Sequence, residues 1–305
     1  MHKVAGHIAP SHEKRNLLLT VALNLGIAVA ELIGGLLSNS LALISDAIHN
    51  LGDGLSLLIA YISLIISRKT PDQQLTFGYK RIQIMAALFN AITLVLICLF
   101  LIREAWIRLN QPEEVHGIGM LTVASIGLLA NILGVWLLRN FRKDNINIRA
   151  AYLHLVGDTL SSVAVIACGL LIVFKGWNWV DPLVTLIISG YIIKETWQIL
   201  SESFGILIQK APPGTQIQAI SESISTIPGI KNMHHIHIWR LTDNETHLEA
   251  HLELDRDLLL SEVQECMDQV EATIRQQFGI SHITLQPELE RCDSHNLIAG
   301  EHCNE

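Results

Sequence analysis

Hydrophobic residues run along the first two-thirds of the chain in six long stretches and alternate with polar residues in the last third. The stretches fall near 17–37, 41–66, 82–106, 117–140, 149–174 and 181–204. A bilayer core takes about 20 helical residues to cross, so each predicts a transmembrane helix. Gln209-Lys210-Ala211-Pro212-Pro213-Gly214 then breaks the helical pattern. Beyond this break the pattern predicts a helix at 215–226, strands at 231–241 and 246–255, a helix at 260–277 and a strand at 280–287. The two adjacent strands are joined by the turn Thr242-Asp243-Asn244-Glu245. His235, His237 and Trp239 alternate onto one face of the first strand, and His247, Glu249, His251 and Glu253 onto one face of the second. The expected fold is an α-helical membrane protein of six transmembrane helices, followed by a small α+β domain of ferredoxin-like type.

Charge divides the chain at the same place. Up to residue 209 there are 15 Lys and Arg against 13 Asp and Glu; from 210 onward there are 6 against 16. The first part is nearly charge-free for long runs and the second has the acidic balance of a soluble domain. The expected divisions are a cytoplasmic N-terminal segment (1–16), the six-helix domain (17–209), the cytoplasmic domain (210–290) and a Cys/His tail (291–305).

The basic residues also set the orientation. Lys3, Lys14 and Arg15 precede the first span, Arg68, Lys69, Lys80 and Arg81 join the second to the third, and Arg139, Arg142, Lys143 and Arg149 join the fourth to the fifth. The opposite loops are poorer in Lys and Arg, so both termini are expected in the cytoplasm. Met1 to Asn16 is polar and lacks the pattern of a cleavable signal. Cys98 and Cys168 lie in apolar runs and Cys266 in a helical pattern, which argues against a disulfide framework. Cys292 and Cys303, with His295 and His302, are the thiols placed to act together.

One internal repeat carries the chemistry. His49-Asn50-Leu51-Gly52-Asp53-Gly54-Leu55-Ser56 recurs as His154-Leu155-Val156-Gly157-Asp158-Thr159-Leu160-Ser161, with His, Gly, Asp, Leu and Ser in common. The copies lie three spans apart and so run in opposite directions through the membrane, the inverted-repeat arrangement of many secondary transporters. His and Asp at i and i+4 share one helical face. At 1.5 Å per residue, Asp53 and Asp158 sit roughly 18 Å and 14 Å in from opposite surfaces, near the same depth. His49, Asp53, His154 and Asp158 therefore make a candidate N2O2 site, suited to Zn2+ and open to Cd2+ and Co2+. Two buried carboxylates, each at a cost of several kcal/mol in the bilayer, argue against a purely structural role. A metal needs ionised carboxylate and neutral imidazole, so metal and proton exclude one another, and imidazole titrates near pH 6.5. Asn24, Glu31, Asp46, Asn90 and Asn131 are expected to line a hydrated cavity or hold helices together, and Lys194 and Glu195 to pair with neighbouring spans.

Ser40-Leu41-Ala42-Leu43-Ile44-Ser45-Asp46-Ala47-Ile48-His49, the paired His-x-x-x-Asp motifs, Thr76-Phe77-Gly78-Tyr79 and His234-His235-Ile236-His237-Ile238-Trp239 together resemble the cation diffusion facilitator family, over about residues 15 to 290. The likeness is to its zinc-transporting branch. It implies a homodimer that exports Zn2+ in exchange for protons by alternating access, with Zn2+ also a structural ligand of a metallochaperone-like cytoplasmic domain. His49, Asp53, His154 and Asp158 become the transport site. His237 and His251 match the family's cytoplasmic metal positions, with Glu288 as third ligand; His235 and His247 compete for the role. Other members have His or Asp where this chain has Leu285 and Pro287. The loop from Lys69 to Arg81 holds no histidine, so a site found there in some members is expected to be missing. The link between the fourth and fifth spans is short and basic, leaving weak capture of metal to His2, His7 and His12 or to the Cys292 and Cys303 tail.

The expected location is a bacterial cytoplasmic membrane, with metal ions, protons and lipid as partners and no nucleic acid. No His-Glu-x-x-His protease motif, phosphate-binding loop or phosphorylatable Asp-Lys-Thr-Gly occurs, so neither an intramembrane metalloprotease nor an ATP-driven pump is expected. A membrane-bound metal sensor and an organic-cation/proton antiporter are the remaining rivals.

Overall fold

The computed structural model describes residues 10–139, 146–291 and 296–298. Six long helices come first: α1 (Pro10–Ser38), α2 (Leu41–Ser67), α3 (Ile82–Asn110), α4 (Gly117–Leu138), α5 (Ile146–Lys175) and α6 (Val180–Leu207). Among the described residues α2 to α6 each carry a stretch long and apolar enough to cross a membrane, and α1 carries a shorter one, Ala22–Ser38. The chain clusters into two compact units, one of residues 1–62 and 86–200, the other of 63–85 and 201–305.

In the helical unit the apolar side chains face outward as well as inward. Ile33, Leu36, Leu37, Phe89, Leu129 and Phe174 are all exposed, far more apolar surface than a soluble protein presents to water. Hydrocarbon is the solvent that suits it, and the chain is a multi-pass integral membrane protein. Helices approach through small residues: a Cβ at Gly34 of α1 would lie 2.6 Å from Val123 of α4. The start of α2 is held by a residue of α6. Asp181 Oδ2 accepts the Leu41 amide at 2.8 Å, and its Oδ1 accepts Ser40 Oγ at 2.6 Å. A carboxylate there satisfies amides that have no partner within their own helix.

The second unit contains α7 (Ile217–Ile224), β1 (Ile230–Thr242), β2 (Glu245–Leu254), α8 (Leu260–Phe278) and β3 (His282–Glu288). Each lies within about two residues of its expected position, and the α+β order is the expected one. β2 is central, antiparallel to β1 and parallel to β3. Ile220 and Ile224 of α7 and Val270 and Ile274 of α8 pack on Met233, Ile236, Ile238, Leu248, Ala250 and Leu252 of the sheet. Gly279 ends α8 with φ +67°, a conformation that costs glycine little.

Two features of this unit escaped the sequence. The α2–α3 connection belongs to it: Lys80 Nζ meets both Glu245 oxygens at 2.7 Å, and the Phe77 ring stands edge-on to His247. Residues past β3 also return along the outer edge of β1, where the His235 and Ile236 amides donate to the Asn296 and Leu297 carbonyls at 3.2 and 2.8 Å.

Candidate metal centre

α2 and α5 bring the two halves of the repeat together. Asp53 Oδ2 lies 3.6 Å from His49 Nδ1 and 3.1 Å from His154 Nε2; the Asp158 oxygens lie 3.7 Å from His49 Nε2 and 3.7 Å from His154 Nε2. Each carboxylate thus touches both imidazoles. Tetrahedral coordination at about 2.0–2.1 Å separates neighbouring ligand atoms by about 3.3 Å; the imidazole–carboxylate separations here run from 3.1 to 3.7 Å, with His49 turning Nδ1 to Asp53 and Nε2 to Asp158. The set is graded in exposure: the Asp158 side chain is 1% exposed, that of His154 42%. Asp53 Oδ2 and both Asp158 oxygens accept no well-formed hydrogen bond. Buried carboxylate oxygens without donors call for a cation. His49, Asp53 and Asp158 already offer ligand atoms within 4.8 Å of one another. Tyr191 of α6 stands edge-on to His49 at 6.2 Å between ring centres and donates its hydroxyl to Glu195 of its own helix.

The other intramembrane polar groups join helices around this centre. Asn90 Nδ2 donates to Ser56 Oγ at 2.6 Å, Asn131 Nδ2 to Ser162 Oγ at 3.2 Å, and Ser161 Oγ to Asp46 Oδ1 at 2.6 Å.

The cytoplasmic cluster differs from expectation in one member. His234 Nε2 lies 2.7 Å from Glu288 Oε1, and His251 Nδ1 lies 3.3 Å from Glu288 Oε2. These three side chains offer ligand atoms within 4.8 Å of one another. His237 is exposed and outside the cluster; its ring neighbours His235 instead, 4.9 Å between centres. The cause is a bulge. His235 has φ +52°, and the pairing with β2 shifts between His234 and His237. Strict alternation is lost there, and His234 comes opposite His251. His235 stacks on the His251 ring at 4.5 Å and is not in the ligand set. His247 is also elsewhere, with its ring against Trp239 and His282. Cys292 and Cys303 lie outside the described residues.

The donor set fits a metal. Asn232 gives its amide hydrogens to Glu253, which leaves its Oδ1 facing His234 Nδ1 at 2.8 Å. That network places a proton on Nδ1 and turns Nε2 toward the Glu288 carboxylate, a position that suits a metal ion. Carboxylate, amide and imidazole in series is how outer partners fix a metal-binding histidine. Burial above all holds the His251 imidazole below its ordinary range, against the pull of the Glu288 carboxylate, with His235, His234 and Arg291 acting in the same direction as burial. This shift favours the neutral imidazole, the form that binds metal.

Six helices around an imidazole–carboxylate square, followed by an α/β domain with its own His2Glu cluster, define a polytopic membrane protein with two candidate metal centres. The chain matches the cation efflux transmembrane domain over residues 17–208 and the cytoplasmic domain of cation efflux proteins over residues 212–290. It belongs to the cation efflux, or cation diffusion facilitator, family, whose members are efflux transporters. It is 38% identical over 287 residues to a cadmium, cobalt and zinc/H+-K+ antiporter of Bacillus subtilis, covering 93% of this chain and 92% of the relative. It is 34% identical over 298 residues to the metal cation efflux system protein CzcD of Cupriavidus metallidurans, covering 98% and 93%. With the zinc transporter ZitB of Escherichia coli it shares 35% identity over 293 residues, covering 94% and 91%.

Proposed function

We propose that the chain moves Zn2+ out of the cytoplasm in exchange for protons, by alternating access to His49, Asp53, His154 and Asp158. The observation that carries this reading is that each carboxylate lies within 3.7 Å of both imidazoles. Zn2+ entering the square displaces protons from imidazole and carboxyl groups, and protons arriving from the other side displace Zn2+. The graded exposure of the set, open at His154 and closed at Asp158, suits a site that faces one side at a time. Cd2+ and Co2+ accept the same ligands, and the names of the Bacillus relatives include both.

On this reading both termini are cytoplasmic, the protein sits in a bacterial cytoplasmic membrane, and domain 210–290 pairs two copies into a homodimer. Zn2+ held by His234, His251 and Glu288 would supply one cation to two carboxylate oxygens and two imidazole nitrogens. It would tie β1, β2 and β3 together at one point.

Zinc flux into proteoliposomes with an imposed pH gradient tests the function. Collapsing the gradient with an ionophore should stop accumulation, and unaffected flux refutes antiport. The Asp53→Ala, Asp158→Ala double variant separates transporter from sensor: a transporter loses flux, whereas flux equal to wild type would remove the site from transport.

A further inference from the structure

The helical unit buries one carboxylate that the metal centre does not use. Glu31 of α1 is 1% exposed. Its Oε2 accepts Asn50 Nδ2 at 3.0 Å, while its Oε1 accepts nothing. That orphan oxygen points at α4, where a Cβ on Gly127 would lie 2.1 Å from it. Asn131 follows Gly127 by one turn, and the Oδ1 atoms of Asn50 and Asn131, both residues 1% exposed, are likewise buried without a donor. Three acceptors on α1, α2 and α4 therefore lack a hydrogen.

No lysine, arginine or histidine among the described residues forms an ion pair with Glu31. The charged groups that face it are acidic: Asp46 of α2 and Asp158 of α5. An ionised carboxylate is strongly disfavoured in that setting. A proton removes the charge and also turns Glu31 from an acceptor into a donor. Among the described residues Glu31 makes no hydrogen bond or ion pair with His49, Asp53, His154 or Asp158; its link to them is Asn50, the neighbour of His49 in sequence.

We propose that Glu31 is a proton-binding site distinct from the metal ligands, holding a proton while Asp158 is bare and releasing it when Zn2+ loads the square. The coupling is electrostatic. Negative charge on Asp158 opposes a second charge on Glu31, and Zn2+ on Asp158 lifts that opposition. The effect is reciprocal: a proton on Glu31 weakens Zn2+ binding by the same factor. The released proton goes to water, and the exchange is one carboxyl proton against part of the charge of one Zn2+. An alkali cation would satisfy the same oxygens, but the single free carboxylate oxygen and the two amide oxygens fall short of the shell a bare alkali ion needs, whereas one proton suffices.

This inference rests on the antiport reading above, and the experiment separates the two. Protons moved per Zn2+ are counted in proteoliposomes with trapped pH and zinc dyes, for the full-length wild type and Glu31→Gln. The variant is expected to bind Zn2+ and lose one proton per Zn2+ transported. Wild-type proton counts in a variant that still binds Zn2+ overturn the inference alone. A K+ or Na+ dependence that the variant abolishes at unchanged proton count overturns it in favour of an alkali ion. Wild type moving no protons overturns antiport and this inference together. Should the variant not fold, wild type labelled with carbon-13 at glutamate carboxyls answers by infrared spectroscopy. In the same labelled protein carrying Glu288→Gln, a protonated glutamate band that vanishes on adding Zn2+ supports the site, and no such band overturns it.

Discussion

Asp53 Oδ2 lies closer to His154 of α5, at 3.1 Å, than to His49 of its own helix, at 3.6 Å. The i, i+4 pairing written in each motif is thus crossed in space by a pairing between motifs. Neither half of the repeat is complete alone. Asp53→Asn and Asp158→Asn should each abolish zinc flux while leaving the protein folded, because the amide keeps the shape and loses the charge. Radiozinc uptake beside size-exclusion profiles checks this, and a variant retaining wild-type flux would remove that carboxylate from the site.

On the proposed reading, zinc at His234, His251 and Glu288 also depends on Asn232, whose Oδ1 faces His234 Nδ1. Asn232→Ala should weaken zinc binding to that centre by about 10–100-fold, the usual cost of losing an outer partner of a metal-bound histidine. His237→Ala should leave it unchanged. Calorimetric titration of full-length protein in an Asp158→Asn background isolates this centre.

Acid should destabilise the second unit. Burial, above its other influences, lowers the affinity of both His247 and His251 for protons. The folded state then binds fewer protons than the unfolded chain once pH drops below about 6.5. This contribution to stability is present above that value and is lost as pH falls through the folded-state values. Hydrogen exchange of residues 215–288 in urea should show an unfolding midpoint that is lower at about pH 5 than at about pH 7 in metal-free protein. His247→Gln should flatten the slope.

Asp181 is the cap of α2 in space, although it lies on α6. Asp181→Ala should cost about 1–2 kcal/mol, since it strips an acceptor from buried amides. Thermal unfolding in detergent measures it, with Asp181→Asn expected to recover part of the loss.

Gly127 leaves the room that Glu31 Oε1 occupies. Gly127→Ala should therefore lower the unfolding midpoint, and the same substitution should cost less in a Glu31→Ala background. A double-mutant cycle reads the difference, and additivity would show that the two residues do not meet.

The helices, and the meeting of His49, Asp53, His154 and Asp158, were legible because their signals are local and redundant. A span declares itself over about twenty residues, and a His-x-x-x-Asp pair repeated at inverted positions carries its own control. The cytoplasmic centre was legible only in part. His251 and Glu288 came with the family resemblance and do meet in the cluster, but His234 stands where His237 was expected, because of a one-residue bulge at His235. Nothing in the side-chain pattern marks that bulge, since His234, His235 and His237 crowd the same short stretch and supply an imidazole in either register. The association of 63–85 with the second unit and the Asp181 cap rest on contacts far apart in sequence, with no periodicity to announce them.

On the proposed reading one ion sits among all four side chains of the inverted repeat. Anomalous diffraction at the zinc edge from zinc-loaded crystals tests it most directly. A peak is expected about 2.0–2.2 Å from one atom each of His49, Asp53, His154 and Asp158. Zinc density confined to the cytoplasmic cluster, with the membrane square empty at saturating zinc, would contradict it.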